Sequence, residues 1–563
     1  MAVEAQTSRS LNQPENFIRA AIVWHLLLTM GLLWAAGWVY ATETLAWAAW
    51  QRWSAMGGLG ALAVGSVAAS AALAQKQPRG RVLSLGVNYL VFILALIFNF
   101  HWLGIFLGLD ALGKTFGNGL LWLGVVFVGY LINAYGDRVE GTPQEKTFRR
   151  AGNWVMAGGF AVFLLAVGLL DALVWLGGQL VTTPSALILT TILILCGVGL
   201  WMMWQRPVAE ALGAKHTQDE LIEGYLFLSP NLLGFLIFFA GPLLLSLYVS
   251  FTNWDAFGTR DWVGLDNYAK IFNVTFHTLA SPTQLASEVM DVKVYDEVGR
   301  VNLLGFNLLF GAEDKLFWLA LRNTLTFVLL AVPGSVIPAL LLATILNSKL
   351  PGMRFFRAVY FIPSIAAVVG ISIVWQWLYN ASIGWINYFI TLGVNGLNNL
   401  FNLNLVDPQI RWLSSVDTAL LSIVIVSIWQ TLGFNSVLFL AGLQNIPNEL
   451  YEAATVDGAN EWRKFWSITL PLLAPTTFFV VSTTIIQALQ VFEQIYVMTS
   501  ATGADAGGPN NSTLSLVLYL YQTGFRQFEQ GYASAVAWVL FFVIFIFTLA
   551  QFQRQRQSSL YEA

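Results

Sequence analysis

Charge is scarce in this chain. Asp, Glu, Lys and Arg make up 10% of its 563 residues, against about 25% in soluble domains, too few to build a water-facing surface for a protein of this size. Positive charge is in no excess, since 28 Lys and Arg face 31 Asp and Glu for a net charge of −3. That excludes the basic face needed for nucleic acid. A single cysteine, Cys196, leaves no disulfide framework and no thiolate metal cluster. Four histidines, with no H-x-x-x-H spacing, leave no structural zinc site. Apolar residues are what the chain has: 57% hydrophobic and 14% aromatic, which excludes disorder and points to a polytopic membrane protein.

Spanning a bilayer takes about 20 mostly apolar residues. Twelve runs qualify: 18–41, 55–75, 82–107, 119–136, 153–177, 185–205, 225–251, 323–347, 355–379, 418–440, 474–497 and 532–552. They are continuous rather than alternating, so the expected class is all-α, with about twelve transmembrane helices and no barrel strands. The first run is too long for a signal-peptide core and no small-residue cleavage site follows it, so it is expected to remain as a span. With the N-terminus inside, most of the 28 basic residues fall in inner loops, among them Arg79, Arg81, Arg138, Arg149, Arg150, Arg354, Arg357, Arg463, Lys464 and Arg554. The positive-inside rule then puts both termini in the cytoplasm. The chain is expected to divide into a membrane region at 1–205, a polar cytoplasmic linker at 206–224, and a second membrane region at 225–563. The second region carries an outer insertion, 252–322, large enough for a small folded lobe. A further outer stretch, 380–417, predicts a short surface helix over Ser382–Leu392.

Two motifs stand out. GLDALGKT at Gly108–Thr115 satisfies the phosphate-loop pattern, but that chemistry needs a strand before the loop and a helix after it. Here spans lie on both sides and the site faces outward, so the segment is expected to be a turn between two helices. The inner loop NIPNELYEAATVDGANEWRKFWSITLPLLAP, residues 445–475, is long where other inner loops of that half are short. Helix formers over Glu449–Val456 meet Gly458, a natural stop, and a second helical stretch follows from Glu461 to Ile468. Exposed acids Glu449, Glu452 and Asp457 beside small Ala453 and Ala454 suit docking into another protein's cleft.

Glu452-Ala453-Ala454, Asp457-Gly458-Ala459 and Ile468-Thr469-Leu470-Pro471 together resemble the EAA loop of binding-protein-dependent ABC importer permeases. The resemblance runs from about Tyr225 to Arg556. It includes YLFLSPNLLGFLIFF, RAVYFIPS at Arg357–Ser364, FEQIYVMT at Phe492–Thr499 and the Gly507-Gly508-Pro509 turn, and it is nearest to the large, maltose-type sugar permease subunit. It implies that the C-terminal six helices form an ABC importer permease core. Glu449–Gly458 would then be a coupling helix seated in a cytoplasmic ATPase, with Glu449, Glu452, Ala453, Ala454, Asp457, Gly458 and Ala459 as the coupling residues. The implied partners are a second permease subunit, two cytoplasmic ATPase subunits that bind ATP and Mg, and an extracytoplasmic solute-binding protein. No cofactor is expected in this chain, which would be a transport subunit and not an enzyme, placed in a prokaryotic plasma membrane. Two features depart from the family: the six N-terminal spans, and the length of TSATGADAGGP before its Pro.

Polar residues inside spans are costly and usually face the bundle interior. On the eleventh span Gln487, Gln490 and Gln494 share one helix face at i, i+3 and i+7, with Glu493 and Tyr496 near its outer end. The tenth span offers Ser427, Gln430, Thr431 and Asn435, and the ninth offers Ser364 and Gln376. Neutral amides and hydroxyls beside Trp375, Trp377, Trp429 and Phe492 suit a carbohydrate, an oligosaccharide or polyol, which presents hydroxyls and apolar ring faces. The plain alternative for each residue is interhelical hydrogen bonding, worth about 0.6 kcal/mol on average. Pro333, Pro338 and Pro363 are expected to kink their spans. Asp171 is the one acid well inside the N-terminal set and a functional candidate by default, whereas His25 and His101 are expected to be structural or interfacial. The rival class is an ATP-independent secondary transporter or channel for a polar solute. It calls for inverted repeats and a charged intramembrane ion site, and the sequence displays neither.

Overall fold

The computed structural model describes residues 2–42, 49–139, 141–214, 216–258, 260–303, 306–348, 352–500 and 506–560. Residues 501–505, in the stretch that departs from the family before its GGP turn, lie outside them. Nine described helices are long and apolar enough to cross a membrane, or up to twelve if each of three bent pairs counts as one span. The chain divides into two compact units, Met1–Leu232 and Leu233–Ala563.

The first unit begins with α1 (Ala2–Ala41), α2 (Ala49–Ala74) and α3 (Pro78–Trp102), and Pro78 opens α3 at a position where no backbone N–H is needed. Then come α4 (Ile105–Arg138), α5 (Glu145–Ala166), α6 (Leu169–Thr182) and α7 (Pro184–Trp204). The phosphate-loop look-alike lies within α4 and is helical. The turn sits earlier, at Leu103–Gly104, where Gly104 takes φ +68. The pair α5–α6 bends by 53°. Asp171 stands exposed in the first turn of α6, a helix with no buried residue.

His25 is fully buried and satisfied. Its Nδ1 lies 2.9 Å from Ser66 Oγ and its Nε2 2.8 Å from Ser84 Oγ, while the Trp24 indole donates to Asn88 Oδ1 at 2.8 Å. The network pins α1 to α2 and α3, and full satisfaction is what an apolar interior requires of polar groups. The segment expected as a linker, 206–224, is folded into this unit. It forms α8 (Arg206–Ala211) and the start of α9 (His216–Phe235). Val208 and Leu212 pack with Ile18, Leu73, Leu85 and Met203. Buried Arg81 donates Nε to the Met203 carbonyl at 2.8 Å and pairs with Asp219. A buried guanidinium needs both partners.

In the second unit a π-helical turn, Leu236–Ala240, leads into α10 (Gly241–Val249). The insertion at 252–322 is a folded lobe containing α11 (Asp266–Phe272) and three strands, β1 (Val274–Leu279), β2 (Asp296–Leu303) and β3 (Phe306–Ala312). They form an antiparallel sheet of order β1-β3-β2 over a small core of Leu279, Met290 and Leu309. Next is α12 (Lys315–Leu346), whose first turn is capped by Asp314 Oδ1 accepting from the Phe317 N–H at 2.9 Å. The same buried carboxylate accepts from the Tyr519 and Tyr532 hydroxyls, joining the helix start to two later elements. One helix runs through Pro333 and Pro338. Pro363, by contrast, immediately precedes the 97° bend between α13 (Met353–Ile365) and α14 (Val368–Leu378).

The surface helix α15 (Trp385–Phe401) starts later and runs longer than the expected Ser382–Leu392. Asn380 Oδ1 accepts from the N–H groups of Ser382 and Ile383 and holds those residues in the turn ahead of it. Then α16 (Val416–Gln444) crosses the unit, α17 (Asn448–Val456) and α18 (Glu461–Lys464) form the inner loop, and α19 (Leu470–Leu472) follows a π turn. The eleventh span departs from expectation. Instead of continuing to residue 497, α20 (Ala474–Leu489) stops, and a separate α21 (Glu493–Ser500) begins after Gln490–Phe492. The break is held by Ser515 Oγ, which donates to the Val491 carbonyl at 2.7 Å; irregular backbone at membrane depth requires such a substitute partner. The chain closes with α22 (Leu516–Tyr521) and α23 (Gln530–Leu560). The unit's core gathers Phe317, Phe327, Ile423, Phe439, Leu473 and Ile495.

Candidate substrate cavity and coupling loop

A cavity of about 640 Å³ opens among the helices of the second unit. Its α16 wall is Ser427, Gln430, Thr431 and Phe434, spaced i, i+3, i+4 and i+7, hence one helix face. The α13–α14 elbow contributes Ser364 and Val368, and α12 contributes Phe327, Ala331 and Ser335. Thr484, Gln487, Gln490, Phe492, Glu493 and Gln494 come from the α20–α21 break, and Val517 from α22. The elbow and α16 meet closely at Gly433, where a Cβ would overlap the Tyr360 carbonyl.

Hydrogen bonding divides the lining into fixed and free groups. Gln494 and Gln430 are buried, and Gln494 Nε2 donates to Gln430 Oε1 at 2.5 Å. Ser364 Oγ donates to the Phe361 carbonyl at 2.7 Å and Thr431 Oγ1 to the Ser427 carbonyl at 2.8 Å, leaving their oxygens able to accept. Gln487, Gln490 and Glu493 are exposed. Phe492 joins a run of rings through Tyr496 (centroids 5.5 Å apart) and Tyr521 (5.2 Å) to Phe525, 5.4 Å beyond Tyr521.

Seven of the ten residues proposed for the pathway line this cavity: Ser364, Ser427, Gln430, Thr431, Gln487, Gln490 and Glu493. Three do not. Gln376 Nε2 donates to the Met498 carbonyl at 3.2 Å, buried Asn435 donates to Thr484 Oγ1 at 3.2 Å, and Tyr496 stacks on Phe492. Gln487, Gln490 and Gln494 converge on one cavity but not as one helix face, because the chain breaks between them. Ser335 and Thr484 are lining residues missed in the sequence; each is a hydroxyl inside a span, a signal that was available.

The inner loop is equally defined. Its first helix, α17, ends in a Schellman motif: Ala459 N–H bonds the Ala454 carbonyl at 2.9 Å, Gly458 N–H bonds the Thr455 carbonyl at 3.1 Å, and Gly458 takes φ +77. Asn460 Oδ1 caps α18 by accepting from Arg463 N–H at 2.8 Å, and Tyr451 and Thr469 hydroxyls lie 2.9 Å apart across the loop. No residue of α17 is buried. Glu449, Glu452, Ala453, Asp457 and Gly458 are exposed, while Ala454 and Ala459 are half-buried. An ordered helix with no buried residue, anchored through Tyr451, presents a surface.

Residues 336–558 match the family described as the binding-protein-dependent transport system inner membrane component. The lactose transport system permease protein LacF of Rhizobium radiobacter is 34% identical over 46% of this chain and 84% of its own length. The arabinooligosaccharides transport system permease protein AraP of Bacillus subtilis (strain 168) is 33% identical over 58% of this chain and 86% of its own. The chain belongs to this family. Among solved structures, that of a bacterial ABC transporter involved in import of the acidic polysaccharide alginate covers 61% of this permease and 96% of that chain, at 21% identity and a TM-score of 0.45. The family match takes in all of α17 and every cavity wall of the permease except the α12 face.

Proposed function

We propose that this permease forms half of a pathway that imports carbohydrate, an oligosaccharide or polyol. The observation that carries the reading is the cavity. Apart from the Glu493 carboxylate, its polar lining is amide and hydroxyl, interleaved with Phe327, Phe434 and Phe492. Such a wall offers hydrogen bonds to sugar hydroxyls and flat apolar faces to sugar rings. Relatives named for lactose and arabinooligosaccharide transport support the same substrate class.

The driving force comes from outside the chain. In this reading two cytoplasmic ATPase subunits, which bind the ATP and Mg, grip Asn448–Gly458. A second permease completes the pathway, and an extracytoplasmic binding protein delivers the sugar. Glu449, Glu452 and Asp457 form the acidic side of the docking surface, and Glu452 pairs with a basic residue of the ATPase groove. Closure of the ATPases pulls α17, and the Tyr451–Thr469 contact passes the motion to the segment leading into α20. Arg463, Lys464 and the other basic loops support a cytoplasmic placement of this loop, with both termini on the same side.

The test is purification of the tagged full-length chain in mild detergent, with identification of the co-purified subunits and measurement of labelled-sugar uptake. Deleting 448–458 is expected to abolish both ATPase association and uptake. Uptake that persists without the loop, or a transport-competent preparation with no ATPase, would sink the proposal.

A further inference from the structure

We propose that Glu493 is a specificity-determining residue that restricts the cavity to uncharged glycans and rejects those bearing carboxylates. The inference rests on the carbohydrate reading above and deepens it by naming the charge class. Of the described residues lining the cavity, Glu493 is the only ionisable one; none is Lys, Arg or His. A bound carboxylate is ordinarily recognised by the forked donors of Arg or the ammonium of Lys, and this wall offers neither.

Several of the neutral donors are already engaged. Gln494 spends an amide hydrogen on Gln430, and Thr431 and Ser364 spend their hydroxyl hydrogens on backbone carbonyls. What remains available is hydroxyl oxygens, the amides of exposed Gln487 and Gln490, which both donate and accept, and beside them the exposed Glu493 side chain. No ion pair with a described residue neutralises Glu493. An ionised carboxylate only accepts hydrogen bonds, so it complements the donor hydroxyls of a neutral sugar and opposes a second carboxylate. One such like-charge contact corresponds to about fivefold in affinity in bulk water and to more in the lower dielectric beside a protein wall, so about tenfold is the expected scale.

The experiment measures equilibrium binding to the full-length chain, purified in lipid nanodiscs with its co-purifying membrane and ATPase subunits but without binding protein. The probes are gluco-, galacto- and mannotriose, each paired with its form oxidised at C6 to the uronate. The expected result is that a neutral trisaccharide binds at least about tenfold tighter than its uronate partner. In Glu493→Gln the ratio falls toward one, and in Glu493→Lys it inverts. Equal binding of both members by the unsubstituted chain, or a ratio that Glu493→Gln leaves in place, overturns the proposal while leaving the carbohydrate reading standing. Failure of every probe to bind overturns the carbohydrate reading and this inference with it.

Discussion

At Gly458 the turn between α17 and α18 depends on φ +77, a conformation that costs an L side chain about 1–2 kcal/mol. Gly458→Val is therefore expected to cut uptake sharply while the chain still reaches the membrane, which comparison of uptake with immunoblotted membrane content will show. The buried Gln494–Gln430 pair makes a second prediction. Gln494→Ala leaves the Gln430 amide oxygen without its donor, a loss of about 1–3 kcal/mol, read as a lower midpoint in detergent thermal unfolding. In the lobe at 252–322, the hydrogen bond from Arg300 to Glu297 holds the Glu297 carboxyl below its ordinary range. Its stabilising contribution is thus complete above the usual glutamate range and is lost as the pH falls through the lowered value. Arg300 also donates to the Pro282 and Gln284 carbonyls. Protease resistance of the lobe should fall on acidification, and Arg300→Ala should remove the acid-dependent part of that fall. The chemistry of cavity residues was legible in the sequence because amides are conspicuous within apolar spans. Which amides reach the cavity and which are consumed by a neighbour was not, since Asn435 and Gln430 differ only in what faces them.

Breaks in helices decide the site at the scale of elements. Hydropathy marks where a span lies but not where its helix stops, and the α20–α21 break rests on a serine, Ser515, distant in sequence from the carbonyl it satisfies. The 97° elbow at α13–α14 had a visible cue in Pro363, whereas Pro333 and Pro338 lie within one helix. A proline alone does not end a helix, because neighbouring elements can accommodate the carbonyl it frees. Close approach of the elbow to α16 at Gly433 makes a sharp prediction. Gly433→Val would push its side chain into the Tyr360 carbonyl, part the two cavity walls and abolish uptake. Retention of normal uptake by this variant would contradict the assigned cavity. The loop of α17 and α18 was the most legible element, since its helix formers, glycine stop and acidic surface are all local properties.

Two units, each with its own core, make up the whole molecule. The family match falls entirely in the second, so a chain beginning at residue 216 is expected to insert and to keep at least half of the uptake of the full chain per unit of membrane protein. Loss of all uptake from a stably inserted truncation would assign residues 1–205 a necessary part in transport. Composition and run length by themselves determined that the protein is helical and polytopic, because the cost of placing charge or unpaired backbone in lipid leaves few alternatives. Local pattern also determined the helix-turn-helix of residues 448–464. Tertiary structure alone decided that 206–224 packs into the first unit, that the insertion at 252–322 holds a three-stranded sheet, and that glutamines from two different helices meet at one cavity. Those outcomes depend on partners far apart in the chain, such as Arg81 with Asp219 or Gln430 with Gln494, and a local pattern carries no record of which distant group will arrive.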